Sequence, residues 1–215
     1  KNIFSAFGLV LTFLSRVFVE QVDAALIQYL KEQDLFSHWP LPPNPQTIRG
    51  LEKLRTFVRQ WTAGQMPELK LDYTRLFIGL EHTSAPPYAS VYLGKEKIMF
   101  DLSTLDIRDL YRRYGLKSRT SRKEPDDHIG LELSFLQFLC LEAAKSNNLK
   151  SSDVLIQDMK KFLESHLNKW LPDFVQSVKK HAETEFYAGI ADVTEGTVGS
   201  LHEVVSSLKK VKREE

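Results

Sequence analysis

Apolar residues recur along this chain at intervals of three and four, and the alternation of a half-buried strand is nearly absent, so the pattern predicts helices throughout. The first covers about residues 2–18, and Asp23 stands where it would cap a second running to about Gln33. Trp39 to Pro45 predicts an extended connector, because proline excludes a helix interior and restrains the residue before it. A third helix is expected over about Thr47–Thr62, with Ile48, Leu51, Leu54, Phe57, Val58 and Trp61 on one stripe and Gly64 closing it. Asp72 then reads as the cap of a short helix through about Ile78.

An irregular stretch, Gly79 to Gly94, holds Pro86 and Pro87. Ser103 with Asp106 resembles a capping box for a helix carrying Ile107, Leu110, Tyr111 and Tyr114 and stopping at Gly115. The polar, basic run Lys117 to Lys123 marks a lobe boundary: residues 1–116 form an N-terminal lobe, 117–125 a linker or hinge, and 126–215 a C-terminal lobe. Asp126 is expected to cap a helix from about Asp127 to Lys145 whose apolar residues go nearly all round the axis, which makes it the central helix of its lobe. Four further segments follow: one opened by Ser152, one by Leu171-Pro172, a short one marked by Phe186, Tyr187 and Ile190, and a last one from Val198 to Val211. The expected fold is thus all-α, a globular bundle of about nine to eleven helices in two lobes.

Composition narrows the function. With 42% hydrophobic and 27% charged residues the chain can build a core and keep a polar surface. A net charge of +1 lacks the basic excess of a nucleic-acid protein. The single cysteine, Cys140, lies in an apolar run and reads as a buried thiol in a reducing compartment. Ile3 to Val19 is apolar but interrupted, falling short of the roughly 20 apolar residues that span a bilayer. Arg16 to Glu20 offers no small-residue cleavage site, so a buried first helix is expected there, with no stable membrane insertion.

The familiar catalytic motifs are missing: no phosphate loop, no His-Glu-x-x-His, no paired cysteines and no Gly-x-Ser-x-Gly. None of the histidines at 38, 82, 128, 166, 181 and 202 is paired four apart on one helix face, so no metal site is expected.

Two segments stand apart. Tyr73 to Gly79 brings Leu76 and Phe77 to a turn, and Ala85 to Tyr92 is a proline-stiffened strip bearing Tyr88 and Tyr92. Such a strip presents aromatic groups at low ordering cost, suited to gripping a peptide; packed by its own aromatics it is only a loop. In Glu124-Pro125-Asp126-Asp127-His128 the carboxylates suit a helix start, whereas His128 is either a neutral, locally bonded side chain or a contact point for a ligand.

Together these segments resemble the TorD/DmsD family of redox-enzyme maturation chaperones. The likeness rests on Leu76-Phe77-Ile78-Gly79, Ala85 to Tyr92, Glu124 to His128 with Glu132-Leu133, and His166 to Phe174 followed by Phe186-Tyr187. It spans about residues 3–195. The resemblance implies a cytoplasmic, non-enzymatic chaperone. Such a protein binds the twin-arginine signal peptide of a molybdenum-cofactor reductase, and possession of the apo-enzyme as a second contact is compatible with it. Export is thereby delayed until the cofactor is inserted. Carried over by motif, signal-peptide recognition falls to Leu76, Phe77, Gly79, Pro86, Tyr88, Ser90 and Tyr92 on one side and Asp127 and His128 on the other. Ala89 departs from the pattern, standing where many members carry an acidic residue.

The chemistry suits that implication. A twin-arginine signal joins a cationic stretch to an apolar one, so its receptor needs an apolar groove with carboxylates close by. Asp127, with Glu124 and Glu132 as weaker candidates, would supply the carboxylates. Some family members are linked to guanine nucleotides; here Lys117, Arg119, Arg122 and Lys123 are the obvious phosphate attractor, and no cofactor is expected. The same linker would allow a monomer or a lobe-swapped dimer. A general helical adaptor with another client is the competing reading. A hydrolase built on Asp127 and His128 is disfavoured, because neighbours on a helix point in different directions.

Overall fold

The computed structural model describes residues 3–78, 83–93, 110–116, 125–146 and 148–208. Among them are nine α-helices: α1 (Ile3–Val19), α2 (Ala24–Glu32), α3 (Pro45–Gln60), α4 (Met66–Phe77), α5 (Ala89–Leu93), α6 (Ile129–Lys145), α7 (Leu149–Ser165), α8 (Leu171–His181) and α9 (Glu185–Ser207). A helical turn at 110–113 and the 3-10 turns Ala63–Gln65 and Leu167–Lys169 complete the helical content of the described residues. The all-α expectation holds. The hinge 117–123, Gly79, Glu124, the Ser103–Asp106 pair and the charged tail lie outside the described residues.

Two helix pairs organise the molecule, α1 on α6 and α3 on α9. Each joins the first half of the chain to the second, so both halves contribute to one hydrophobic core. The apolar face of α1 (Phe4, Phe7, Val10, Leu11, Leu14, Val17 and Phe18) is buried, largely against α6. Fully burying each such side chain contributes on the order of 2 kcal/mol. No helix among the described residues is long and apolar enough to cross a membrane.

The α3–α9 pair shows why the C-terminal pattern misleads. The sequence predicts two segments around Phe186 and Val198, but α9 is one helix of 23 residues. Gly189 and Gly196 disfavour a helix by propensity. Here they let two backbones touch: a Cβ at Gly50 would lie 2.6 Å from the Gly189 carbonyl oxygen, and one at Gly196 would strike Thr47. Asn44 locks the seam, accepting from the Thr47 N–H (2.9 Å) and donating to the Gly196 carbonyl (2.8 Å). Packing therefore outweighs propensity. Asp192, buried in α9, adds ion pairs to Lys53 of α3 (3.0 Å) and Lys179 of α8 (3.5 Å).

Several caps differ from expectation, and in one case the partner is distant in sequence. Asp23 caps α2 as predicted, accepting from the Leu26 N–H at 2.7 Å. Pro45 is not connector but the first residue of α3, behind the Asn44 cap, a position where its missing N–H costs nothing. That helix ends at Gln60, ahead of Gly64. Asp72 lies within α4 and instead braces Thr184, the cap of α9, accepting from the Glu183 and Thr184 N–H groups and the Thr184 hydroxyl. Asn148, not Ser152, caps α7. Gly115 ends its turn with a φ of +67°, the left-handed conformation its lack of a Cβ permits.

Candidate functional site

The structure brings the two unusual segments together. Tyr88 and His128 form an antiparallel bridge in which the Ala89 N–H donates to the Asp127 carbonyl (3.0 Å) and the Ile129 N–H to the Pro87 carbonyl (2.8 Å). Their rings meet edge to face at 5.3 Å. From the other end of the strip, Ser84 and Ala85 donate N–H bonds to the Arg75 and Leu76 carbonyls, tying it to the end of α4. Tyr111 donates its hydroxyl to the Asp126 carbonyl and pins the acidic turn from a third direction.

Within this junction Asp127 is fully buried, and its carboxylate accepts the Ser90 N–H at 2.8 Å. With its carbonyl on Ala89, it satisfies the first two N–H groups of α5, as an acidic residue at a positive helix end should. Neither Asp126 nor Asp127 caps α6, as the sequence suggests; His128 does, with Nδ1 accepting from the Gly130 N–H at 3.0 Å. The ring must then be unprotonated at Nδ1, and burial pushes its pKa down to about 4, so His128 is neutral at physiological pH. The ring therefore gains from the helix start as an acceptor. Asp127 and His128 spend their hydrogen bonds on different backbone groups and form no acid–base couple.

Leu76 and Phe77 sit beneath the strip. Leu76 is buried, and Phe77 packs edge to face on Phe18 and Tyr187. Ser90 is buried too, whereas Pro86, Tyr88 and Tyr92 are partly open to solvent. The accessible face of the site is thus aromatic and apolar, and its polar residues lie behind, holding the backbone in place. Tyr92 is held above its ordinary pKa, at about 12, chiefly by burial, with the exposed carboxylate of Asp173 adding to the shift.

Three residues below the strip had only a faint trace in the sequence. Glu132, at 0% exposure, meets His166 Nε2 at 2.8 Å and accepts from the Trp170 indole N–H at 3.3 Å. Burial raises the Glu132 carboxyl to about 7. His166 is shifted upward as well: burial opposes its charge, but the Glu132 charge and hydrogen bond outweigh it. Tyr92 stacks on Trp170 at 5.6 Å and 28°. A carboxylate in the first turn of a helix apolar on every side was the signal for Glu132, and the four-residue spacing of His166 and Trp170 the signal for its partners. No cluster of His, Cys, Asp or Glu suited to a metal ion occurs among the described residues.

This fold has a solved counterpart. A putative redox enzyme maturation protein from Archaeoglobus fulgidus shares it with a TM-score of 0.50 and 19% identity, covering 94% of each chain. The chain is thus an all-helical protein with the fold of that structure. It belongs to the nitrate reductase delta subunit family, whose model matches residues 42–176, and the TorD/DmsD resemblance read from its sequence holds. The chaperone protein TorD of Photobacterium profundum is 33% identical over 120 residues, 56% of each chain. The probable Tat proofreading chaperone DmsD of Haemophilus influenzae is 27% identical over 180 residues, 82% of this chain and 80% of that one. The chain spans little more than half the length of the TorD relatives it matches.

Proposed function

We propose that this protein is a chaperone for a molybdenum-cofactor oxidoreductase. It binds the twin-arginine signal peptide of the precursor in the cytoplasm and delays export until the cofactor is in place. The observation that carries the reading is the bridge between Tyr88 and His128, which joins two segments through residues 40 positions apart in the sequence. Family membership supports it, as do relatives named as TorD and DmsD chaperones.

Tyr88, Pro86 and Tyr92 meet the apolar stretch of the signal, with Leu76 and Phe77 as the packing beneath them. Asp127, Ser90 and His128 fix the backbone of the strip. The arginines are met from the rim, where Asp173 is exposed and close enough to act on Tyr92. The protein acts by binding alone.

Affinity capture from the native host, followed by mass spectrometry, tests the reading. A molybdenum reductase retaining its twin-arginine leader is the expected catch. Consistent enrichment of partners with no such leader would refute it in favour of a general adaptor.

A further inference from the structure

Behind the peptide-facing strip lies a charged network that the proposed function does not use. Glu132 is the centre of it, with one carboxylate oxygen on His166 and the other on the indole of Trp170. Trp170 is fully buried, and its ring is the platform on which Tyr92 stacks. Phe162 stacks on the other partner, His166, at 5.5 Å and 29°. A buried carboxylate is costly unless it is paired and hydrogen-bonded, and this one is both. A core that needed only volume here would be served by apolar side chains.

We propose that Glu132, His166 and Trp170 are positioning residues for the peptide site: Glu132 fixes the indole beneath Tyr92, and the proton it shares with His166 tightens that hold. The inference rests on the peptide-binding reading of the site. The groups that act on the pair can be named from each side. Asp127 faces both members from the turn before α6, Lys169 acts on His166, and Tyr111 approaches Glu132 from the turn at 110–113. As the pH rises the shared proton leaves. Glu132 then stands as a buried anion without a cationic partner, its carboxylate is no longer pinned against His166, and the indole bonded to its other oxygen, with Tyr92 stacked on it, loses its fixed position.

The test has two arms. In the first, the protein carries 5-fluorotryptophan and is followed by fluorine NMR through a pH series on both sides of neutrality, where histidine changes charge. The Trp170 resonance is assigned by its absence in Trp170→Phe. It should shift with pH in the wild type and stay still in Glu132→Gln, which keeps the hydrogen-bonding outline but carries no charge.

In the second arm the probe is a synthetic peptide with two adjacent arginines followed by an apolar stretch, titrated calorimetrically. Wild-type affinity should fall about fivefold across that range, the lower end of usual site-to-site coupling. Glu132→Gln should bind with a flat pH profile. Tyr92→Ala should bind weakly and also flatly, while its Trp170 resonance still titrates. A wild-type affinity independent of pH, or a Glu132→Gln profile parallel to wild type, would overturn the proposal. Absence of peptide binding at every pH would instead refute the peptide reading, and with it the coupling to a peptide. A Trp170 resonance that is blind to pH would sink the network itself.

Discussion

At Asp72 a single buried carboxylate accepts three hydrogen bonds from the start of α9, across 111 residues of sequence. Burial raises its pKa and the Thr184 bonds oppose that rise. Asp72→Ala strands two N–H groups and a hydroxyl, and should cost about 2–4 kcal/mol in urea unfolding. His128 makes a pH-dependent contribution whose sign is fixed by its depressed pKa of about 4. The unfolded chain takes up a proton near pH 6.5 and the folded one does not, so stability is lost as pH falls from about 6.5 toward 4. His128→Asn keeps a capping acceptor without a titrating ring. Between pH 7 and 4 wild type should lose about 2–3 kcal/mol relative to it; parallel stability curves would contradict the neutral-cap role. Asp173→Asn should weaken binding of a twin-arginine peptide about two- to fivefold at low salt, and the difference should shrink as salt rises.

At the scale of elements, α3 and α9 make the sharpest case. Gly50→Ala places a methyl within 2.6 Å of the Gly189 carbonyl and should destabilise by about 2 kcal/mol or more by thermal or urea unfolding. At Gly199 a Cβ meets nothing within 4 Å, so Gly199→Ala should instead stabilise by about 0.5–1 kcal/mol through helix propensity. The same glycines explain what the sequence hides. Helices with one apolar face, such as α1 and α8, are legible because burial follows their own period. The length of α9 is not, because glycine and threonine weaken its local signal and the compensation comes from α3. The caps divide likewise. Asp23, three residues from the N–H it serves, can be read from spacing. Asp72 and Asp127 cannot, since only the fold decides which helix end each one meets.

Across the whole molecule, the pairs α1–α6 and α3–α9 make one core of both halves of the chain, and the aromatic strip ties the end of α4 to the turn before α6. The candidate site was drawn from the sequence as a family resemblance, through Leu76-Phe77, Pro86 to Tyr92 and Asp127-His128. Its division of labour was not: spacing cannot tell that Tyr88 and Tyr92 stay open while Asp127 and Ser90 are buried behind them. A peptide held there would meet aromatic surface first and charge at the rim.

The most direct test of that account is a calorimetric titration of the protein with three peptides: the twin-arginine sequence with its apolar stretch, the same with two lysines, and the same with the apolar stretch replaced by serine. The account predicts a dissociation constant on the order of micromolar for the first. Each change should weaken it by about tenfold, because lysine loses the bidentate fit and serine leaves the aromatic face unpaired. Equal affinity for all three, or no saturable binding of the first, would contradict it.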